Sequence, residues 1–173
     1  LFGVLIKCTS KGPLLFKQER VGLHGRKFFQ YKLRSMVSDA EELKKKYLHL
    51  NEQSGPVFKI KNDPRLTNIG KFIRKFSIDE LPQLFNVLLG SMTLIGPRPP
   101  VPSEVKYYKD KHLRRLSMKP GITGLWQVSG RNKIKDFEKW VKLDLEYIDN
   151  WSFSLDLKIA FKTVSTVFSG TGM

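Results

Sequence analysis

A chain of 173 residues is close to one domain on the usual scale of ~150 residues, enough to bury roughly two-thirds of its unfolded surface around one core. Its 31 Lys and Arg against 16 Asp and Glu leave a formal net charge of +15, which suits an anionic partner: nucleic acid, an anionic lipid surface or a phosphorylated substrate. A lone cysteine, Cys8, excludes an intrachain disulfide and a thiolate zinc site within these residues and fits a reducing compartment, and no apolar run reaches the ~18 to 20 residues that cross a bilayer.

The charge is uneven: eight basic residues and one acidic between Leu1 and Ser35, seven and six from Arg131 onward. The opening Leu1-Phe2-Gly3-Val4-Leu5-Ile6 reads as the tail of a longer apolar segment. Residues 14–21 and 26–33 favour extended structure around Gly22-Leu23-His24-Gly25, which predicts a hairpin. Ser38-Asp39-Ala40-Glu41 has capping-box spacing ahead of a charged surface helix ending near Asn51. Val57-Phe58-Lys59-Ile60 reads as a short strand before a turn at Asp63-Pro64-Arg65. Thr67 can cap a helix with Ile69, Phe72, Ile73 and Phe76 on one face. A second apolar helix carries Leu81, Leu84, Phe85, Leu88 and Leu89 and closes at Gly90. Pro82 must lie in its first turn, so Asp79 or Glu80 is expected at the N-cap or first position. Four prolines between Gly96 and Pro102 predict a stiff rod presenting Arg98. A basic helical stretch over 103–116, a loop around Gly121 and Gly124, and helices over 136–150 and 154–167 complete the chain. His24, His49 and His112 lack ligand-like spacing.

The adjacent carboxylates Asp79 and Glu80 are the most informative pair in this cationic chain. Lys71, Arg74 and Lys75 lie just upstream, and Arg98 follows on the proline rod. One reading is structural: an N-cap contributing about 1 kcal/mol and a first-turn acid favoured by the helix dipole. The other is chemical. Arg74 and Arg98 can each fork onto two phosphate oxygens, and a carboxylate beside a phosphate so held can act as a nucleophile or hold Mg²⁺. Spacing alone leaves both open.

Several motifs in order resemble a known family: Phe16-Lys17-Gln18-Glu19-Arg20-Val21-Gly22, Tyr31-Lys32-Leu33-Arg34-Ser35-Met36, Lys61-Asn62-Asp63-Pro64-Arg65, Ile73-Arg74 through Asp79-Glu80-Leu81-Pro82-Gln83, Gly96-Pro97-Arg98-Pro99, and Lys119-Pro120-Gly121-Ile122-Thr123-Gly124 to Gly130-Arg131-Asn132. The chain resembles, from about Ile6 to its end, the bacterial sugar transferases, the monotopic polyprenyl-phosphate phosphoglycosyl transferases. The resemblance implies ping-pong transfer of a sugar 1-phosphate from a UDP-sugar to undecaprenyl phosphate, with UMP released, at the start of capsule, exopolysaccharide or O-antigen assembly. It implies Asp79 as nucleophile, Glu80 as its dyad partner, both near Mg²⁺, and Arg74 and Arg98 on phosphate. Trp126, Gln127 and Arg131 fall in the donor-handling region, although Trp126 by composition suits a core, as does Tyr147. The family's N-terminal hydrophobic helix, entering and leaving the membrane on one face, would precede Leu1, so the chain is expected to be a single catalytic domain, 1–173, truncated at that re-entrant helix. The segment after Phe168 and the context of Gly130-Arg131-Asn132 look most like members handling galactose or glucose 1-phosphate.

The expected architecture is an α/β, or α+β, helix-rich single domain with a small antiparallel β-hairpin or sheet, associated with the cytoplasmic face of a bacterial inner membrane. A nucleic-acid-binding domain and a noncatalytic membrane-surface scaffold are the competing classes, the first weakened by the absence of helix-turn-helix, zinc or RNP-like patterns.

Overall fold

The structure, a computed structural model, describes residues 2–130 and 134–170. It is rich in helix, with two small sheets. Strands β1 (Leu15–Val21) and β2 (Lys27–Leu33) form the expected antiparallel hairpin, in register from Leu15 opposite Leu33 to Val21 opposite Lys27. His24 and Gly25 turn the chain at φ 53° and 79°. Ahead of it, α1 (Phe2–Thr9) rests on α3 (Asn68–Lys75), with Phe2 stacked on Phe72. Arg34 secures the join: its Nη atoms donate to the carbonyls of Lys11 at 2.6 Å and Ser10 at 2.8 Å, just past the end of α1.

Two expected features of the next stretch are absent. Helix α2 (Ala40–Lys46) has Asp39, one residue past the expected Ser38, at its N-cap and no side-chain cap bond. The helix ends at Lys46, and a separate 3-10 turn covers Leu48–Leu50. Residues 57–60 are not a strand. Asn51 occupies the place of a partner strand: its Nδ2 donates to the Val57 carbonyl and its Oδ1 accepts the Lys59 N–H. Asp63-Pro64-Arg65 does turn, and it folds a buried salt bridge on itself, with Arg65 Nε and Nη2 at 2.9 and 2.6 Å from the two Asp63 oxygens. Burial alone would raise the Asp63 pKa, but hydrogen bonds from the Arg65 side chain and backbone N–H hold it below its usual 3.8. A depressed carboxylate contributes stability above the unfolded pKa and loses it as pH falls through the folded value. On acidification from pH 5 to below the folded-state value, itself under 3.8, wild-type urea stability should therefore fall more than that of Asp63→Asn.

The main core joins Val57, Trp126, Phe137, Trp140 and Val141, with Tyr108 and Ile134 packed against it. After α3 come α4 (Gln83–Leu88) and a strand β3 (Thr93–Ile95) that pairs in parallel with β4 (Gly121–Thr123). This second sheet was not foreseen from sequence. It depends on close backbone approach: a Cβ on Gly121 would lie 2.1 Å from the Gly96 nitrogen. Between the strands, the basic stretch breaks into short helices α5 (Pro102–Val105) and α6 (Asp110–Leu113) and a 3-10 turn over Arg114–Leu116, rather than one helix. The restart at α6 is marked by the Lys109 N–H donating to His112 Nδ1. Helices α7 (Leu125–Val128), α8 (Phe137–Asp149) and α9 (Phe153–Phe168) follow. Asp136 caps α8 by accepting the Glu138 N–H, and Ser152 caps α9 by accepting the Leu155 N–H. Tyr147 is buried, and its hydroxyl ties α8 to Asp156 of α9 at 2.8 Å.

Candidate active site

The acid pair is held between α3 and α4. Thr67 caps α3 as expected, its hydroxyl accepting the Gly70 N–H at 2.9 Å. Gly70 is required there because a Cβ would lie 1.8 Å from the Ser35 carbonyl oxygen. That contact seats α3 against the segment after β2 and lets Arg74 Nε donate to Ser35 Oγ at 2.9 Å. The chain then turns sharply: Ser77 adopts a left-handed conformation, φ 53° and ψ 22°, one that costs a residue with a side chain roughly 1 kcal/mol or more. A 3-10 turn over Ile78–Glu80 follows, and Pro82, not Asp79 or Glu80, is the N-cap of α4. The expected capping role is thereby overturned. The 3-10 turn spends the intervening N–H groups, Glu80 on the Ser77 carbonyl and Leu81 on that of Ile78, before α4 begins. Asp79 is 4% exposed.

Helix α4 is inside out. Leu81 and the helix's Leu84, Phe85 and Leu88 face solvent, with Leu88 81% exposed, whereas Gln83 and Asn86 are buried. The buried amides are matched to the hairpin. Gln30 Nε2 donates to Gln83 Oε1 at 2.9 Å, Asn86 Nδ2 donates to the Phe29 carbonyl at 2.7 Å, and Asn86 Oδ1 accepts the Tyr31 N–H at 3.1 Å.

Positive side chains converge on the pair. Lys32 of β2, a residue sequence reasoning passed over as a site residue, places Nζ 3.1 Å from Glu80 Oε1. Its signal lay in the period-2 pattern: Lys32 and Gln30 share a face of β2, and Gln30 contacts α4. Burial lowers the Lys32 pKa, the charges of Glu80 and Asp79 raise it, and Arg20 and Arg74 lower it again. Arg74 is likewise lowered by burial and supported by Asp79, Asp63 and Glu80. Arg20, buried on β1, is pulled down to about 9 by burial and then by Arg98, against Glu104 and Glu80. Arg74 and Lys32 feel both acids and Arg20 feels Glu80, so three cations share the field of the two carboxylates.

Arg98 joins the pocket through Arg20. The proline rod lies along β1, where Val21 N–H donates to the Pro100 carbonyl and Arg20 Nη1 to that of Pro99. Arg98 Nη1 lies a long 3.4 Å from Glu104 Oε2, and its guanidinium sits 5.0 Å over the Trp140 ring. Buried Arg115 donates through Nη2 to the Arg98 carbonyl at 3.2 Å, through Nε to Asp144 Oδ2 at 2.8 Å, and through Nη1 to the Tyr108 hydroxyl. Burial raises the Asp144 carboxyl despite Arg115.

Trp126 lies in the core, 6% exposed, its ring 4.1 Å from that of Trp140. Gln127 is placed differently: with Ser77, Glu80, Leu81 and Leu84 it lines a cleft of about 310 Å³ whose far wall is β4 and α9. Arg131 lies outside the described residues. Among the described residues, no group of three or more His, Cys, Asp or Glu side chains gathers as a metal site.

A buried Asp79 whose charge acts on Arg74 and Lys32, beside a Glu80 paired with Lys32, is suited to approach by a phosphate: the cations neutralise the anion that a carboxylate would otherwise repel. The chain belongs to the bacterial sugar transferase family, whose model matches residues 1–170. Galactosyl transferase CpsE of Streptococcus agalactiae serotype III is 56% identical over 161 residues, 93% of this chain and 36% of that protein. The undecaprenyl-phosphate galactose phosphotransferase of Salmonella typhimurium is 47% identical over 169 residues, 93% of this chain and 34% of its own length. The UDP-glucose:undecaprenyl-phosphate glucose-1-phosphate transferase of Klebsiella pneumoniae is 41% identical over 166 residues, 92% of this chain and 33% of that protein. The chain therefore spans about a third of the length of these relatives.

Lys32 provides a test of the pocket. Lys32→Met should leave the hairpin folded and lower sugar-phosphate transfer about 10²-fold, the scale for one electrostatic donor. Lys32→Arg should restore little, since a planar fork does not replace a compact ammonium at 3.1 Å. Steady-state turnover beside a thermal melt separates the chemical effect from unfolding.

Proposed function

We propose that the protein transfers a hexose 1-phosphate, galactose or glucose, from a UDP-sugar to undecaprenyl phosphate through a covalent intermediate on Asp79. The observation that carries the reading is a buried Asp79 beside Glu80 inside a pocket of Lys32, Arg74 and Arg20. An Asp79 carboxylate oxygen attacks the β-phosphorus of the donor, the bond to the bridging oxygen breaks, and UMP departs with that oxygen. A phosphate oxygen of the lipid then attacks the same phosphorus, the aspartyl bond breaks, and the carboxylate is regenerated with a lipid diphosphate sugar as product. Arg74 and Arg98 hold the donor's phosphates, Lys32 balances the charge on Glu80, and Arg131 belongs to the donor side, whereas Trp126 lies in the core and Gln127 lines the neighbouring cleft. The relatives' names, which include a UDP-glucose donor and undecaprenyl-phosphate acceptors, support the substrate classes.

Asp79 and Glu80 are also the residues that would hold Mg²⁺. The pair fits: Mg²⁺ ordinarily takes one or two carboxylates with substrate phosphates and water, and Asp79 and Glu80 stand adjacent on one 3-10 turn. When bound, the ion would supply neutralisation of the diphosphate charge.

The outward leucines of α4 and the exposed Phe153, Phe161 and Phe168 of α9 support seating on an anionic lipid surface, the cytoplasmic face of a bacterial inner membrane, where the product would begin capsule, exopolysaccharide or O-antigen synthesis. No helix of the described residues is long and apolar enough to cross a membrane.

Intact-protein mass spectrometry after incubation with Mg²⁺ and UDP-galactose or UDP-glucose tests the reading. A mass gain of one hexose phosphate with matching UMP release supports it. Folded protein that yields neither adduct nor UMP with any UDP-sugar overturns it and favours a noncatalytic scaffold.

A further inference from the structure

Apart from Glu80, the residues lining the cleft between the acid pair and α9 have no part in the chemistry above, and its composition is unlike that of the cationic pocket. Its walls are Phe76, Ile78, Leu81, Leu84, Ile122 and Val167, with three threonines among them. The threonine hydroxyls are engaged inside the protein. Thr123 and Thr163 bond each other at 2.9 Å, Thr163 also reaches the Ile159 carbonyl, and Thr166 reaches that of Lys162. Gln127 Nε2 donates to the Ile122 carbonyl, and its buried Oε1, with no hydrogen-bond partner, is a single unspent acceptor in the wall. A nucleotide or a sugar needs several unspent polar partners, and these walls offer methyl groups.

We infer that this cleft receives the first isoprene units of the lipid acceptor, an extended apolar chain ending in a phosphate. The inference rests on the transferase reading and adds to it the path of the tail. Two features select that occupant. Ser77 and Glu80 are among its lining residues, so a phosphate held against that part of the wall lies beside the acid pair. Leu81 and Leu84 line it and also belong to the outward face at α4, so its apolar wall is continuous with the surface that would meet lipid. Only a molecule charged at one end and apolar behind it satisfies both features. A volume of about 310 Å³ admits a short run of isoprene units and leaves the remainder of the chain to the bilayer.

Filling the cleft tests this without touching the acid pair or its cations. Val167→Trp, with Ile122→Phe as a second variant should the first fail to fold, is assayed on the full chain in detergent micelles with undecaprenyl phosphate. The adduct with the UDP-sugar is expected to form at the wild-type rate while KM for undecaprenyl phosphate rises about tenfold or more. In parallel, farnesyl phosphate bearing a photoreactive benzophenone at its far end is expected to label peptides 122–128 or 163–167. Undecaprenyl phosphate should protect against labelling, and inorganic phosphate should not. Unchanged acceptor KM in folded variants, or labelling confined to outward residues such as Leu88 and Phe161, overturns the inference while leaving the transferase reading intact. Absence of any adduct in the wild-type protein overturns both.

Discussion

Asp79→Asn is expected to abolish formation of the phosphosugar adduct and to lower transfer by roughly 10⁴-fold or more, with the thermal melt little changed. The substitution keeps the shape of a side chain that is 4% exposed, so packing around the 3-10 turn survives. What it removes is the anionic oxygen. An amide oxygen is a far poorer nucleophile, and the surrounding cations, which assist a carboxylate by drawing the phosphate toward it, have no such effect on the uncharged group's reactivity. Glu80→Gln should retain more activity, since its role is to hold charge beside the reaction. Radiolabelled sugar transfer and UMP release, measured on both variants, check the order. Wild-type turnover by Asp79→Asn would return the residue to a structural role.

The second large effect is expected at a buried ion pair in contact with Arg98. Asp144 and Arg115 are 1% and 3% exposed, and their carboxylate and guanidinium pair at 2.7 to 2.8 Å. Asp144→Ala leaves the Arg115 charge buried without its counter-ion and should cost about 3 to 5 kcal/mol in urea denaturation. The double variant Asp144→Leu with Arg115→Met should recover most of that loss, because a buried pair replaced whole by apolar side chains is often neutral. It should nonetheless transfer sugar phosphate poorly. Arg115 donates to the Arg98 carbonyl, and both guanidiniums lie over the Trp140 ring. Stability regained without activity would separate the pair's two functions, and activity regained along with stability would deny it any part in positioning Arg98.

Local rules read much of this protein correctly from sequence. The hairpin, the Thr67 cap, the turn at Asp63-Pro64-Arg65 and the last two long helices each follow from turn chemistry, capping or a clear 3.6-residue period. The failures share a cause: a backbone partner that local sequence cannot show. Asn51 supplies side-chain hydrogen bonds to residues 57–60 where a strand was expected, and β3 with β4 is a pair of three-residue strands far apart in the chain, too short to carry a pattern. The capping role of Asp79 failed because the left-handed Ser77 inserts a turn before α4. Within the site, Asp79, Glu80 and Arg74 were legible as one cluster because they are close in sequence. Lys32 was not, since its proximity to Glu80 is made only when the Gln30 and Asn86 contacts bring β2 to α4.

Those contacts have a mechanical consequence. A helix seated by leucines can slide or roll by an ångström at small cost, because apolar contact is non-directional. A helix seated by Gln83 and Asn86 cannot, because hydrogen bonds to particular atoms of Gln30, Phe29 and Tyr31 fix its register. A force on its outward leucines is therefore delivered rigidly to the strand that carries Lys32, and the acid pair keeps a constant height above whatever surface those leucines enter.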